Sequence, residues 1–270
     1  MHTYTPPPPL SDFVETFWLC EGEPPPHPKE RILPSGIMQL LINLRGEPLS
    51  MYEAQDAGRL ATFRGPVIAG PYSESFVIDT AQQQSMMGVA FKAGGAFPFF
   101  KPPAGELQNA HVALDTLWGV RAAELHDRLL AAPAPAARFR ILEEVLLRQA
   151  ARNLARHPAV SFALHEFLSV PQAPVAGVTD QIGLSARRFI QVFSDEVGLT
   201  PKLFCRIRRF QEVLRLCATG RRVDWTEVAL SCGYFDQAHF IHDFRAFSGF
   251  SPSAFLACRT EFLNHLKLGD

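Results

Sequence analysis

Hydrophobic positions change their period along the chain, and that change divides it. Up to about residue 113 the apolar residues fall in short runs that alternate with polar ones. Phe13 to Leu19 predicts one strand. Ile37 to Leu44 predicts a second, with Met38, Leu40, Ile42 and Leu44 on one face. Ser75 to Thr80 and Met86 to Phe91 predict two more. Turn signals separate the runs: Pro34-Ser35-Gly36, Arg45-Gly46-Glu47-Pro48, Gly65-Pro66, Gly70-Pro71 and Gly94-Gly95. Short strands bounded by Gly and Pro predict an antiparallel barrel or sandwich.

Helical spacing follows. Leu114 to Leu130 carries Leu114, Leu117, Trp118, Leu125 and Leu129 on one stripe. Ala131 to Ala137, with Pro133 and Pro135, reads as a short stiff connector. Arg138 to Arg156 predicts a second helix, with Ile141, Leu142, Val145 and Leu146 as its apolar face. His157-Pro158 ends it, because the residue before proline avoids the α region. From Pro158 onward the period is helical throughout. The boundaries that follow are a first domain over 1–130, a helical connector over 131–157, and a helical domain over 158–270.

The last third holds an internal repeat. Phe189, Phe193, Gly198, Pro201 and Phe204 recur as Phe240, Phe244, Gly249, Pro252 and Phe255 at a constant offset of 51 residues, and Gly183 recurs as Gly233 at 50. Two copies are too few for a solenoid, so a small domain is duplicated. Each copy reads as a helix, a glycine turn and a second helix. Ser185 caps the second helix of the first copy, and Asp236 or Phe235-Asp236 that of the second. Gly198 and Gly249 stand where a helix end needs a left-handed residue. Thr200-Pro201 and Ser251-Pro252 open the next helices. Helix, short turn, helix is the helix-turn-helix pattern, here twice.

Charge sharpens that reading only when taken locally. The 270 residues carry a net charge of −1, which gives no hint of a nucleic-acid partner. Residues 185–222 hold nine Lys/Arg (Arg187, Arg188, Lys202, Arg206, Arg208, Arg209, Arg215, Arg221, Arg222) against Asp195, Glu196 and Glu212, a net of +6. A basic stretch on a helix pair is the footprint expected of phosphate binding.

The segment Gly233-Tyr234-x-Asp236-Gln237-Ala238-His239-Phe240-x-His242-x-Phe244, followed by Gly249-Phe250-Ser251-Pro252-x-x-Phe255, resembles the AraC/XylS family of transcription regulators. The resemblance covers about residues 159–257. It implies two helix-turn-helix units joined by a long helix near Pro201 to Cys217, with recognition helices entering successive major grooves of double-stranded promoter DNA. Carried over by motif, the DNA-facing residues of the first unit are Arg187, Arg188, Ile190 and Gln191, and those of the second are Gln237, Ala238, Ile241 and His242. Arg187 suits guanine, Gln191 and Gln237 suit a base edge, and Ala238 and Ile241 suit a thymine methyl. Arg188 suits phosphate. The second recognition helix carries Asp236 and Asp243 and no Lys or Arg before Arg245, so the first unit is expected to dominate specificity.

The first domain resembles, more loosely, the barrel module fused to such units, through Arg31 to Gly36, Gly88 to Lys92 and Leu114 to Gly119. The fold class expected is therefore α+β: an N-terminal antiparallel β-barrel, cupin-like and flanked by helices, and a C-terminal all-α domain. The function expected is sequence-specific transcription regulation, an activator under control of a small-molecule effector or partner at the N-terminal domain. RNA polymerase and a homodimer through Arg138 to Arg156 are further expected partners. The alternative is a ligand carrier or cupin-like enzyme that reuses the fold without reading DNA.

Other chemistry is sparse. His239, His242 and Cys232 lack the fourth ligand of a zinc site. His2, His27, His111 and His126 are isolated, without the H-x-H of a cupin metal centre. No nucleophile elbow or phosphate loop occurs. No enzyme activity, metal or cofactor is expected. The cysteines Cys20, Cys205, Cys217, Cys232 and Cys258 are odd in number and scattered, so reduced thiols are expected. With no signal-like N-terminus and no apolar run of membrane length, a cytoplasmic protein without membrane contact is expected.

Overall fold

The computed structural model describes residues 1–53, 59–150, 154–170, 173–218 and 224–269. Its first part is built on strands β1 (His2–Tyr4), β2 (Val14–Glu21), β3 (Lys29–Ile32), β4 (Gln39–Asn43), β5 (Leu49–Glu53), β6 (Arg59–Phe63), β7 (Val67–Ala69), β8 (Phe76–Asp79), β9 (Ser85–Phe91) and β10 (His111–Ala113). The four strands predicted from alternation are β2, β4, β8 and β9. Of the others, β1, β7 and β10 have three residues each, in which alternation has little to register.

The strands form two antiparallel sheets, not a closed barrel. One runs β1-β2-β9-β4-β7-β10. The other runs β3-β8-β5-β6, with one further strand described below. Closure would need the first sheet's outer strands to find partners. Its last strand instead runs from Ala113 straight into a helix at Leu114, so the edge stays open. The sheets face each other, as in a sandwich. Trp18 and Leu41 of one pack with Leu49, Met51 and Phe76 of the other.

The outer face of the first sheet is covered by helices. The predicted helix over 114–130 is broken by Gly119 (φ +61°) into α1 (Leu114–Trp118) and α2 (Val120–Ala131). The next helix, α3 (Pro135–Gln149), starts and ends earlier than expected. Pro135 occupies its first turn, where a missing N–H costs nothing. Residues 151–153 of the expected helix lie outside the described residues, and 154–157 are not helical. Phe139, Leu142 and Leu146 of α3 join the core of the first sheet, and Phe139 stacks on Tyr4 of β1 at 5.5 Å.

The rest is helical: α4 (Pro158–Ser169), α5 (Val175–Ile182), α6 (Ala186–Val197), α7 (Pro201–Ala218), α8 (Trp225–Ser231), α9 (Gln237–Ser248) and α10 (Pro252–Cys258). Each repeat places its phenylalanines inward, and Phe189, Phe193, Phe240 and Phe244 are fully buried. The helical region does not remain all-α. After α10 the chain turns back and ends in β11 (His265–Lys267), antiparallel to β3 and the outermost strand of the second sheet. Leu266 is fully buried there. His265 Nδ1 and Glu30 Oε2 lie 2.7 Å apart, and His27 and Gln83 also bond the Glu30 carboxylate. Burial raises the Glu30 pKa. The bonds from His265, Gln83 and His27 and the attraction of His265 outweigh burial and hold it at about 2. No helix among the described residues is long and apolar enough to cross a membrane.

Candidate nucleic-acid interface

The two helix-turn-helix units are built by local chemistry. In the first, α5 ends at Gly183 (φ +72°), and Ser185 Oγ accepts from the Arg188 N–H at 3.3 Å to start α6. In the second, Asp224 caps α8, and Asp236 Oδ1 accepts from the His239 N–H at 2.7 Å to start α9. Both second helices end alike. Gly198 and Gly249 adopt positive φ and donate their N–H to the carbonyl four residues back, Ser194 and Arg245, each at 2.9 Å.

On α6 the outward residues are Arg187, Arg188, Ile190 and Gln191, all exposed. The two arginines have no ion-pair partner among the described residues. Ile190 is 44% exposed, an apolar side chain of the kind that can meet a thymine methyl. Gln191 Nε2 donates to Asp195 Oδ1 one turn on, at 2.8 Å, which orients the amide.

On α9 the four predicted residues divide. Gln237, Ala238 and His242 are exposed, whereas Ile241 is half-buried and packs on the helical core. Phe235, which sequence reasoning had treated only as part of the cap, is 87% exposed at the head of α9. Its signal was a large aromatic beside a turn.

Only one of the two acids of the second unit is turned inward, since Asp236 is exposed and Asp243 is not. Asp236 is the helix cap. Asp243 is buried and accepts from Arg206 of α7, Nη2 to Oδ1 at 2.7 Å and Nε to Oδ2 at 3.4 Å. His239 Nε2 lies 3.7 Å from the same carboxylate. Asp243 therefore gives no reason to expect the first unit to dominate specificity, and that expectation rests on the absence of Lys or Arg on α9 before Arg245.

The basic run is also partly engaged. Arg206 is held by Asp243, Arg215 pairs with Glu212 at 2.8 Å, and Arg209 lies over the Tyr234 ring at 5.5 Å. Arg221 and Arg222 lie outside the described residues. Lys202, Arg206 and Arg209 line a cleft with His239 and His242, between α7, α9 and the start of α5.

Both recognition helices are gripped at their C-terminal ends by the first half of the chain. At Gly198 an added Cβ would run into Pro71 and come within 2.9 Å of the Ala104 carbonyl. At the second helix, Arg31 Nη1 donates to the Ser248 carbonyl at 3.1 Å and lies over the Phe250 ring at 5.0 Å. A Cβ on Gly249 would meet that guanidinium. Between them, Gln211 of α7 donates to the Pro34 carbonyl at 2.8 Å. The five cysteines are free, and burial pushes the thiols of Cys205, Cys217 and Cys232 up to about 11.

Residues 178–257 match a family described as a helix-turn-helix domain, and residues 2–113 match one described as a domain of unknown function, DUF6597. No curated protein sequence matches the chain. Among solved structures, ToxT from Vibrio cholerae is similar over 89% of this chain and 97% of its own, at 8% identity and a TM-score of 0.48. A structure of ToxT from Vibrio cholerae O395 bound to (E)-4-(8-methylnaphthalen-1-yl)but-3-enoic acid gives 8% identity over 89% and 98%, with a TM-score of 0.49. The xylose-binding transcription activator XylR is 21% identical over 57% of this chain and 41% of its own, with a TM-score of 0.34.

Proposed function

We propose that the C-terminal region, whose residues 178–257 match a helix-turn-helix family, is an AraC-type DNA-binding domain, that the protein is a transcription regulator, and that the first half of the chain controls the residues reading promoter DNA. The observation that carries the proposal is the division of each recognition helix into a core face of buried phenylalanines and an exposed face of DNA-compatible side chains. Arg187 reads a guanine through two hydrogen bonds, Gln191 and Gln237 read base edges, and Ile190 and Ala238 meet methyl groups. Arg188, Lys202 and the cleft arginines position phosphates. His242 reaches the duplex from the cleft edge, and Ile241, half-buried, supports the others.

Control follows from the grip on both helix ends. Pro71 and Ala104 at Gly198, and Arg31 at Ser248, tie the aim of each recognition helix to the half of the chain that holds the two sheets. A molecule or partner that moves those sheets changes the spacing of the two helices, and with it DNA affinity. The working division is a sensor over 1–130, a connector over 131–157 and a DNA-binding unit over 158–270, acting in the cytoplasm. The apolar stripe of α3 is engaged by its own core, so a second copy or RNA polymerase would meet the protein on other surfaces.

Selection of bound fragments from genomic DNA tests the reading. It should yield a site with two conserved segments about one helical turn apart. Recovery of DNA with no common sequence would contradict it.

A further inference from the structure

The two facing sheets leave a cavity of about 270 Å³ between them. Trp18, Leu41 and Met86 wall it from one sheet and Met51 from the other, while Phe262 and His265 of the C-terminal segment close a further side. The sequence makes deliberate room for it. Trp18 of β2 is paired with Gly88 of β9, and a Cβ on Gly88 would come within 2.5 Å of the indole and of the Leu40 carbonyl. Only glycine leaves room for the ring against the strand at this point of the cavity wall.

The wall chemistry selects what enters. No Lys, Arg, Asp or Glu is among the lining residues. The polar groups that do reach the wall are largely engaged. Gln82 bonds the backbone of Ser50 on both sides, and Gln83 and His265 bond Glu30. A charged ligand would give up its hydration with no Lys, Arg, Asp or Glu side chain of the lining to receive it, and His265 is already engaged by Glu30. An apolar ligand gains by leaving water and finds polarisable contacts in Trp18, Met51 and Met86.

We propose that this cavity binds a small, neutral, apolar molecule, and that the C-terminal segment forms one of its walls. The proposal deepens, and rests on, the reading of the first half as the sensor. The volume lies just below the usual range of ligand pockets, which limits the ligand to a small one. The wall matters for regulation because Phe262 and His265 follow directly on α10 of the DNA-binding unit. A ligand that contacts Phe262 bears on the docking of β11, which joins that unit to the second sheet.

The test uses the full chain labelled with ¹³C at its five methionine methyls, with naphthalene as probe. Met1, Met51 and Met86 line the cavity, and Met38 and Met87 sit in the neighbouring core as internal controls. Naphthalene should shift Met51 and Met86 saturably and leave Met38 and Met87 in place. Naphthalene-1-sulfonate, the same rings with a charge, should bind at least tenfold more weakly. Phe262→Ala should weaken naphthalene binding at least threefold, with unchanged Met38 and Met87 resonances reporting an intact fold. No saturable shift, equal binding of the sulfonate, or equal shifts at the control methionines would overturn the site or its chemistry. An unaltered affinity in Phe262→Ala would overturn the C-terminal wall. Duplex binding without naphthalene separates the two readings: DNA binding with no naphthalene binding overturns the cavity proposal alone, and naphthalene binding without DNA binding overturns the regulator alone.

Discussion

Arg206 of α7 donates to both carboxylate oxygens of Asp243, at 2.7 and 3.4 Å, and so ties the long linking helix to the second recognition helix. Asp243 is buried and Arg206 about one-third exposed. Removing the acid leaves the guanidinium without its partner in a half-buried site. Asp243→Ala should destabilise the protein by about 3 kcal/mol in denaturant unfolding. DNA affinity should fall as α9 loses its fixed angle to α7. A variant with unchanged stability would show that the pair is dispensable.

Base reading and phosphate anchoring give different mutational signatures. Arg187→Ala should cost roughly 1–3 kcal/mol at one base position and relax preference there. Lys202→Ala should weaken all sequences alike and reduce the salt slope by about one. Competition binding against a panel of single-base variants distinguishes these. Loss of a preference in Lys202→Ala, with Arg187→Ala neutral, would reverse the two roles.

Gly198 serves as a helix end and as a point of contact with Pro71 and Ala104. Gly198→Ala combines a strained positive φ with a clash against the first half of the chain. It should cost more than the roughly 1 kcal/mol usual for a capping glycine. Gly183→Ala is strained too, but a Cβ there meets nothing within 4 Å. Thermal unfolding of the pair should therefore show the larger loss at Gly198. Equal losses would mean that the contact with the first half yields at no cost.

Acid should destabilise the protein through His111. Burial pushes its pKa down to about 4 from the ordinary 6.5, beside the Tyr72 hydroxyl. The unfolded chain binds the proton more readily than the folded one, so stability falls as pH drops from about 6.5 to 4. The contribution at stake is on the order of 3 kcal/mol. Glu30 acts lower: its stabilisation is present above about pH 4.5 and is lost as pH falls toward 2. In His111→Gln the slope between pH 6.5 and 4 should flatten, whereas an unchanged slope would assign the loss to other groups.

What could be read in advance was what local chemistry decides. Ser185, Asp236, Gly198 and Gly249 lie within a turn of the groups they cap, so spacing sufficed to find them. The recognition positions came from the resemblance to the family motif, and most of them are exposed. Strand β11 was not legible, since His265-Leu266-Lys267 becomes a strand only by pairing with Lys29–Ile32, more than 230 residues away. Asp243 was misread for a similar reason. Its charge counts against DNA only if it faces outward, and its partner Arg206 lies 37 residues back on another helix. Open sheets and a closed barrel share the same alternation, so the edges were decided by tertiary pairing alone.

The central claim is that exposed faces of α6 and α9 bind duplex DNA through charge and base contacts. The most direct measurement is the salt dependence of binding to a fragment recovered by genomic selection, beside an unrelated fragment of equal length. With about five phosphate contacts, the log–log slope should be near −4 or steeper, with tight binding only to the selected fragment. A flat slope with equal affinity for both fragments would contradict the account.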